Sequence, residues 1–121
     1  MIEEKEKIKN ELKTQLAQFT GTEDYYQDLG VKFTDGIHYL AEEAKAYWLI
    51  TLIGSYQHKL KDVPFQLWTL KVNEDNSAEI ECREDTGMPI LIKQIIPYTD
   101  FPLEEIKLYC IDGILLLPSE Y

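Results

Sequence analysis

The run "FQLWTLKVNEDNSAEIECREDTGMPILIKQII", residues 65–96, reads as three β-strands in succession. Alternation over 65–72 puts Trp68, Leu70 and Val72 on one face. Over 78–84 it turns Ala78, Ile80 and Cys82 inward and Glu79, Glu81 and Arg83 outward. "NEDNS" and "DTG" have turn composition, and 89–96 supplies the third strand. Strands joined by such short polar turns pair antiparallel, so the run predicts a β-meander.

Toward the C-terminus, "IKLYCI" and "ILLLP" flank Asp112-Gly113. Both positions of such a pair accept positive φ, which favours a two-residue hairpin. These strands alternate little, which predicts burial on both faces or an interface. Left exposed, the final strand would invite aggregation, so the main helix or a second copy of the chain must cover it, and a homodimer is one outcome.

Toward the N-terminus, "VKFTDGIHYL" at 31–40 repeats the Asp-Gly signal. It predicts a short hairpin pairing Val31–Thr34 with Ile37–Leu40. "AEEAKAYWLITLIGSYQHKL" then predicts a second main helix from Ala41 to Leu60, apolar nearly all round at its centre and ended by Asp62–Pro64. Residues 3–18 predict an amphipathic helix, with Ile8, Leu12, Leu16 and Phe19 at helical spacing and Thr20-Gly21 as its stop. Thr22 is expected to cap a short turn over Glu23–Gln27, closed by Gly30. The whole, 1–121, is one α+β domain: an antiparallel meander sheet of about five strands plus a short hairpin, packed against two main helices.

Composition narrows function. A chain of 121 residues and 14.2 kDa is the size of one domain, and 45% hydrophobic with 28% charged residues argues against disorder. Twenty-two acids face twelve bases, for a net charge of −10, and Arg83 is the sole arginine. Such a surface repels phosphate backbones and anionic lipid, which argues against direct nucleic-acid binding and membrane binding; the charge serves solubility alone, the simpler reading, or a basic protein partner, the sharper one. "MIEEKEKIKNEL" has no apolar signal core, and "AYWLITLIG" at 46–54 is too short to span a bilayer. The expectation is a cytoplasmic protein whose Cys82 and Cys110 are reduced core thiols.

The candidate site is "PYTDFP" at 97–102, where Pro97 and Pro102 stiffen the backbone around Tyr98, Thr99, Asp100 and Phe101. A structural loop is the simpler reading, since an acid suits the proline-started turn that follows. Asp35 and His38 lie by the first predicted hairpin and, with Asp100, define an alternative acid–base cluster of a small enzyme. Tyr39 and Trp48 join the binding candidates through the aromatic-rich composition, because aromatics beside Lys32, Lys45 or Lys93 would hold a nucleotide-like ligand by stacking. Two isolated histidines and two separated cysteines match no metal spacing. No phosphate-cradling glycine loop, nucleophile elbow or paired-cysteine motif is present, and no cofactor is expected.

Together "FTGTEDYY", "FTDGIHYLAEEAKAYWLI", "FQLWTLKV" and "IPYTDFPLEEIKLYCIDGILLLPSEY" resemble a family of small bacterial proteins, found also on phages and mobile elements, of unknown function. The resemblance runs from Phe19 to Tyr121 and is weakest in the first helix. It implies no catalytic residue. It does imply a mobile-element setting, in which small acidic proteins act by binding. The leading expectation is therefore a non-enzymatic binding protein, a phage or mobile-element accessory that inhibits or sequesters a host component. An oligomeric sponge for a nucleotide-type signal and a small Asp/His enzyme are the alternatives.

Overall fold

The computed structural model describes residues 2–28 and 30–121, with residues 2–5 and Asp28 described by backbone alone. The meander is present as read: β3 (Phe65–Val72), β4 (Ala78–Arg83) and β5 (Ile90–Ile96). β4 pairs antiparallel with both neighbours. β6 (Glu105–Ile111) pairs with the other side of β3 and turns into β7 (Ile114–Leu116) through Asp112 (φ 51°) and Gly113 (φ 81°). That is the two-residue turn the sequence predicts.

The sheet is larger than the expected five strands, and it is mixed. Its order is β1-β2-β7-β6-β3-β4-β5, where β1 is Tyr25–Asp28 and β2 is Val31–Thr34. β2 runs parallel to β7, with Lys32 beside Ile114 and Phe33 beside Leu115. This explains the apolar C-terminal hairpin without a second copy: β7 is an interior strand, with Leu115 fully buried. Trp68, Leu70, Ile80, Cys82, Leu108 and Cys110 form one buried cluster with helical Leu12, Ile37, Leu40, Leu49 and Ile53. None of the described helices is long and apolar enough to cross a membrane.

Three local expectations are corrected. Asp35-Gly36 is no hairpin turn; it begins helix α2 (Asp35–Glu43). Thr34 is the N-cap, its hydroxyl accepting from the Ile37 N–H at 3.4 Å, and Asp35 sits in the first turn where the helix dipole favours an acid. Ile37, Leu40 and Ala41 are buried at helical spacing, and that apolar face outweighs the turn preference of Asp-Gly. β2 consequently pairs with Tyr25–Asp28 instead, Tyr25 opposite Thr34.

The segment after Thr22 is therefore a strand rather than a helical turn. Thr22 donates to the Asp24 carbonyl and accepts from the Asp35 N–H, tying the loop to α2. The expected helix over 41–60 is broken as well. α2 stops at Ala44, Lys45 takes φ 52°, and α3 (Tyr47–Tyr56) follows. The Ala46 N–H closes back on the Ala41 carbonyl at 2.9 Å, a helix-ending bond in which lysine holds a position usually given to glycine. Nothing in "AKA" announces it.

Both cysteines are free and fully buried on the core face. Burial pushes each thiol from an ordinary value near 9 up to about 12. An unfolded chain ionises its thiols near 9, while the folded chain keeps them protonated. The stability they contribute is complete below that pH and is lost as pH rises toward 12. The urea midpoint should fall between pH 8 and 10.5, and Cys82→Ala/Cys110→Ala should flatten that fall. An equal slope in the variant would show that the thiols ionise in the native state.

Candidate functional site

The segment leaving β5 alternates in direction. Thr99 and Phe101 are buried, whereas Tyr98 (68% exposed) and Asp100 face outward. Thr99 is held twice: its N–H donates to the Asn76 carbonyl at 2.7 Å, and its hydroxyl accepts from the Phe101 N–H at 3.2 Å. Asn76 sits in the left-handed region (φ 67°) of the β3–β4 turn. There the Asn73 carbonyl accepts from its N–H, and the Asp75 carboxylate accepts from the Ser77 hydroxyl and N–H. Those bonds hold Asp75 below the usual carboxylate range. Two loops far apart in sequence are thus locked edge to edge.

Helix α1 (Ile2–Ala17) completes a groove of about 760 Å³ against these loops. Ile8, apolar yet 56% exposed, lies along it. Among the described residues its charged lining is Glu6, Glu74, Asp100 and Glu104 against one cation, Lys9. Lys9 is already engaged, its ammonium 2.9 Å from the Glu104 carboxylate and 3.7 Å from that of Glu6. The hydrogen bond to Glu104 raises Lys9 above the usual lysine value and lowers Glu104 correspondingly. Among the described residues the carboxylates of Glu74 and Asp100 make no hydrogen bond or ion pair, and with the exposed ring of Tyr98 they offer an entering cation opposite charge and an aromatic face.

The other candidates lie apart from this groove. The Asp35 carboxylate accepts from the N–H groups of Glu23 (3.0 Å) and Asp24 (3.4 Å), the first of which does most to hold it low. His38 stacks on Tyr26, with ring centres 4.3 Å apart, and its Nε2 is 3.7 Å from Glu42. Tyr39 packs on Phe19, and Trp48 is half-buried against the core. Among the described residues no hydrogen bond or ion pair links Asp100 to Asp35 or His38, and no group of side chains is disposed to hold a metal. Lys32, Lys45 and Lys93 are not in the groove lining.

A family model matches residues 10–121. The chain belongs to that family, DUF6876, a family of unknown function. Its DUF6876 portion includes both groove loops, while Glu6, Ile8 and Lys9 of α1 precede it. No curated protein and no solved structure matches the chain.

Sequence reasoning missed two constellations that hold this DUF6876 fold in place. The Glu120 carboxylate accepts from the Thr34 hydroxyl (2.6 Å) and from the N–H groups of Gly36 (3.1 Å) and Leu117 (3.0 Å), so the C-terminal residues cap α2. Buried Gln66 exchanges two hydrogen bonds with Gln57 and accepts a third from Trp68 Nε1. No short-range spacing signals either one. The loop 97–102, which the sequence already offers as a candidate, supplies one wall of the groove; for the α1 wall the hint is Ile8 on the apolar stripe of the first helix.

Proposed function

We propose that the protein is a non-enzymatic binding protein that captures a basic partner in this groove, and so inhibits or sequesters a host component in a phage or mobile-element setting, within the cytoplasm. The observation that carries this reading is the groove's charge. Among the described residues four carboxylates face one neutralised ammonium, in a chain of net charge −10. A lysine or arginine entering beside Tyr98 meets carboxylate and ring together. The same walls disfavour the nucleotide-sponge reading, since a phosphate would meet carboxylates. The acids of 74–85 extend the negative field along β4 and the turns at its two ends; the side chains of Glu3 and Glu4 lie outside the described part of the structure.

Calorimetric titration with an octalysine peptide tests the proposal. Binding should weaken about tenfold or more between 50 and 300 mM salt, because the contacts are exposed charges. Tyr98→Ala should cost a further ~0.5–1 kcal/mol. Salt-insensitive binding would rule out an electrostatic capture site. A rise in melting temperature with nucleotides, but none with the peptide, would favour the sponge.

A further inference from the structure

The strand β5 closes one end of the sheet, and the hydrogen-bond alternation shows which of its groups are unused. The Asn73 N–H bonds the Ser77 carbonyl across the β3–β4 turn, while the Val72 N–H bonds the Glu104 carbonyl on the β6 side. An antiparallel ladder alternates, so Ala78, Ile80 and Cys82 direct their backbone groups toward β5. Their partners Ile96, Gln94 and Ile92 point back at β4, which leaves the N–H and C=O of Lys93 and Ile95 facing out of the sheet.

Side chains repeat the theme. Met88, Ile90, Leu91 and Ile95 are exposed, Ile95 by 64%. Between Met88 and Tyr98 there is no acid at all, in a chain that carries twenty-two. The one charge on the strand, Lys93, lies 4.0 Å from Glu79 and 3.9 Å from Glu81 of its own sheet. Edge strands usually carry charge or proline to prevent pairing. Here the prolines, Pro89 and Pro97, stand only at the ends and so bound a ladder of fixed length.

We propose that β5 pairs antiparallel with β5 of a second copy, about a two-fold axis at Gln94, joining the two sheets into one. A second copy fits because this is the strip along which two chains of net charge −10 approach without opposing acids. The register follows from the free groups. Centring on Lys93 would set lysine against lysine, which is unfavourable. Centring on Gln94 sets Lys93 against Ile95 of the mate, with all four outward groups bonded, and Ile92 against Ile96 on the helix-covered side. The proposal is independent of the groove.

Light scattering on the full chain should give twice the 14.2 kDa chain mass. Ile95→Pro removes an outward N–H that its own sheet does not use, so it should give monomer with unchanged circular dichroism. Ile95→Lys, which opposes Lys93 of the mate but lies beside Glu79 of its own chain, should also be monomeric and folded. Opposite residues of a non-hydrogen-bonded pair lie about 4.5 Å apart, within disulfide reach. Oxidised Gln94→Cys should therefore form a covalent dimer and Ile95→Cys should not; the native cysteines are buried and do not compete. A wild-type chain of 14.2 kDa at every concentration, or a dimer that survives both Ile95→Pro and Ile95→Lys, would overturn the proposal.

Discussion

Trp68→Ala should lower the free energy of unfolding by about 3–5 kcal/mol, read as a fall in the urea midpoint. Trp68 is 1% exposed on β3, beside Cys82 on one side and Leu108 on the other. The change empties the volume of the largest fully buried side chain, beneath the helices. It also withdraws a donor from Gln66 Oε1, although Gln57 Nε2 still donates to that oxygen. Trp68→Phe separates the two effects, keeping most of the ring volume while losing the N–H, and should cost about 1–2 kcal/mol. Domains of this size hold only ~5–15 kcal/mol in total, so the alanine variant is expected to be partly unfolded at modest urea. A loss below about 1 kcal/mol would mean that the sheet is not packed against the helices as described.

Gly36→Ala should also destabilise, by about 1–3 kcal/mol, although alanine favours a helix interior by ~1 kcal/mol over glycine. The reason is steric and comes from the other end of the chain. A Cβ at position 36 would lie 2.5 Å from Glu120 Oε1 and 2.6 Å from Leu117 Cδ1. The carboxylate that receives the Thr34 hydroxyl and the Gly36 and Leu117 N–H groups would have to leave its seat. Glu120→Ala alone should cost about 1.5–3 kcal/mol, the range of hydrogen bonds to a charged group. In that background Gly36→Ala should lose much of its penalty, because half of the obstruction is gone. Such a coupling is what a double-mutant cycle measures. If Gly36→Ala raised the melting temperature, the seat of the C-terminal residues on α2 would be wrong.

These two variants also show where one-dimensional reading reaches and where it stops. The strands β3, β4 and β5 and the Asp112-Gly113 turn follow from alternation and turn chemistry, which are local and repeat within a few residues. Asp35-Gly36 carries the same letters as Asp112-Gly113 and does the opposite thing. What distinguishes them is the Thr34 cap, the Ile37/Leu40/Ala41 stripe and a carboxylate 84 residues away, of which only the first two are local. The parallel pairing of β2 with β7 is likewise decided by contacts that no window of sequence contains. Of the four loop residues that the sequence offers as candidates, Tyr98 and Asp100 face outward, whereas Thr99 and Phe101 are anchors of that loop. The partners that make the groove, Glu6, Lys9 and Glu74, come from α1 and a distant turn. Asp35 and His38 spend their polar atoms on the loop at 22–24 and on Glu42.

Thr34-Asp35 and Thr99-Asp100 therefore share a role in shaping the backbone, and Asp100 also lines the groove against α1. Nuclear magnetic resonance titration of the isotope-labelled chain with octalysine separates them in one experiment. Amide shifts should concentrate at Glu74, Asn76, Tyr98 and Asp100 and along the Glu6–Lys9 side of α1, and should fade as salt is added. Shifts centred on Asp35, His38 and Trp48, or spread evenly over every acidic residue, would contradict the account.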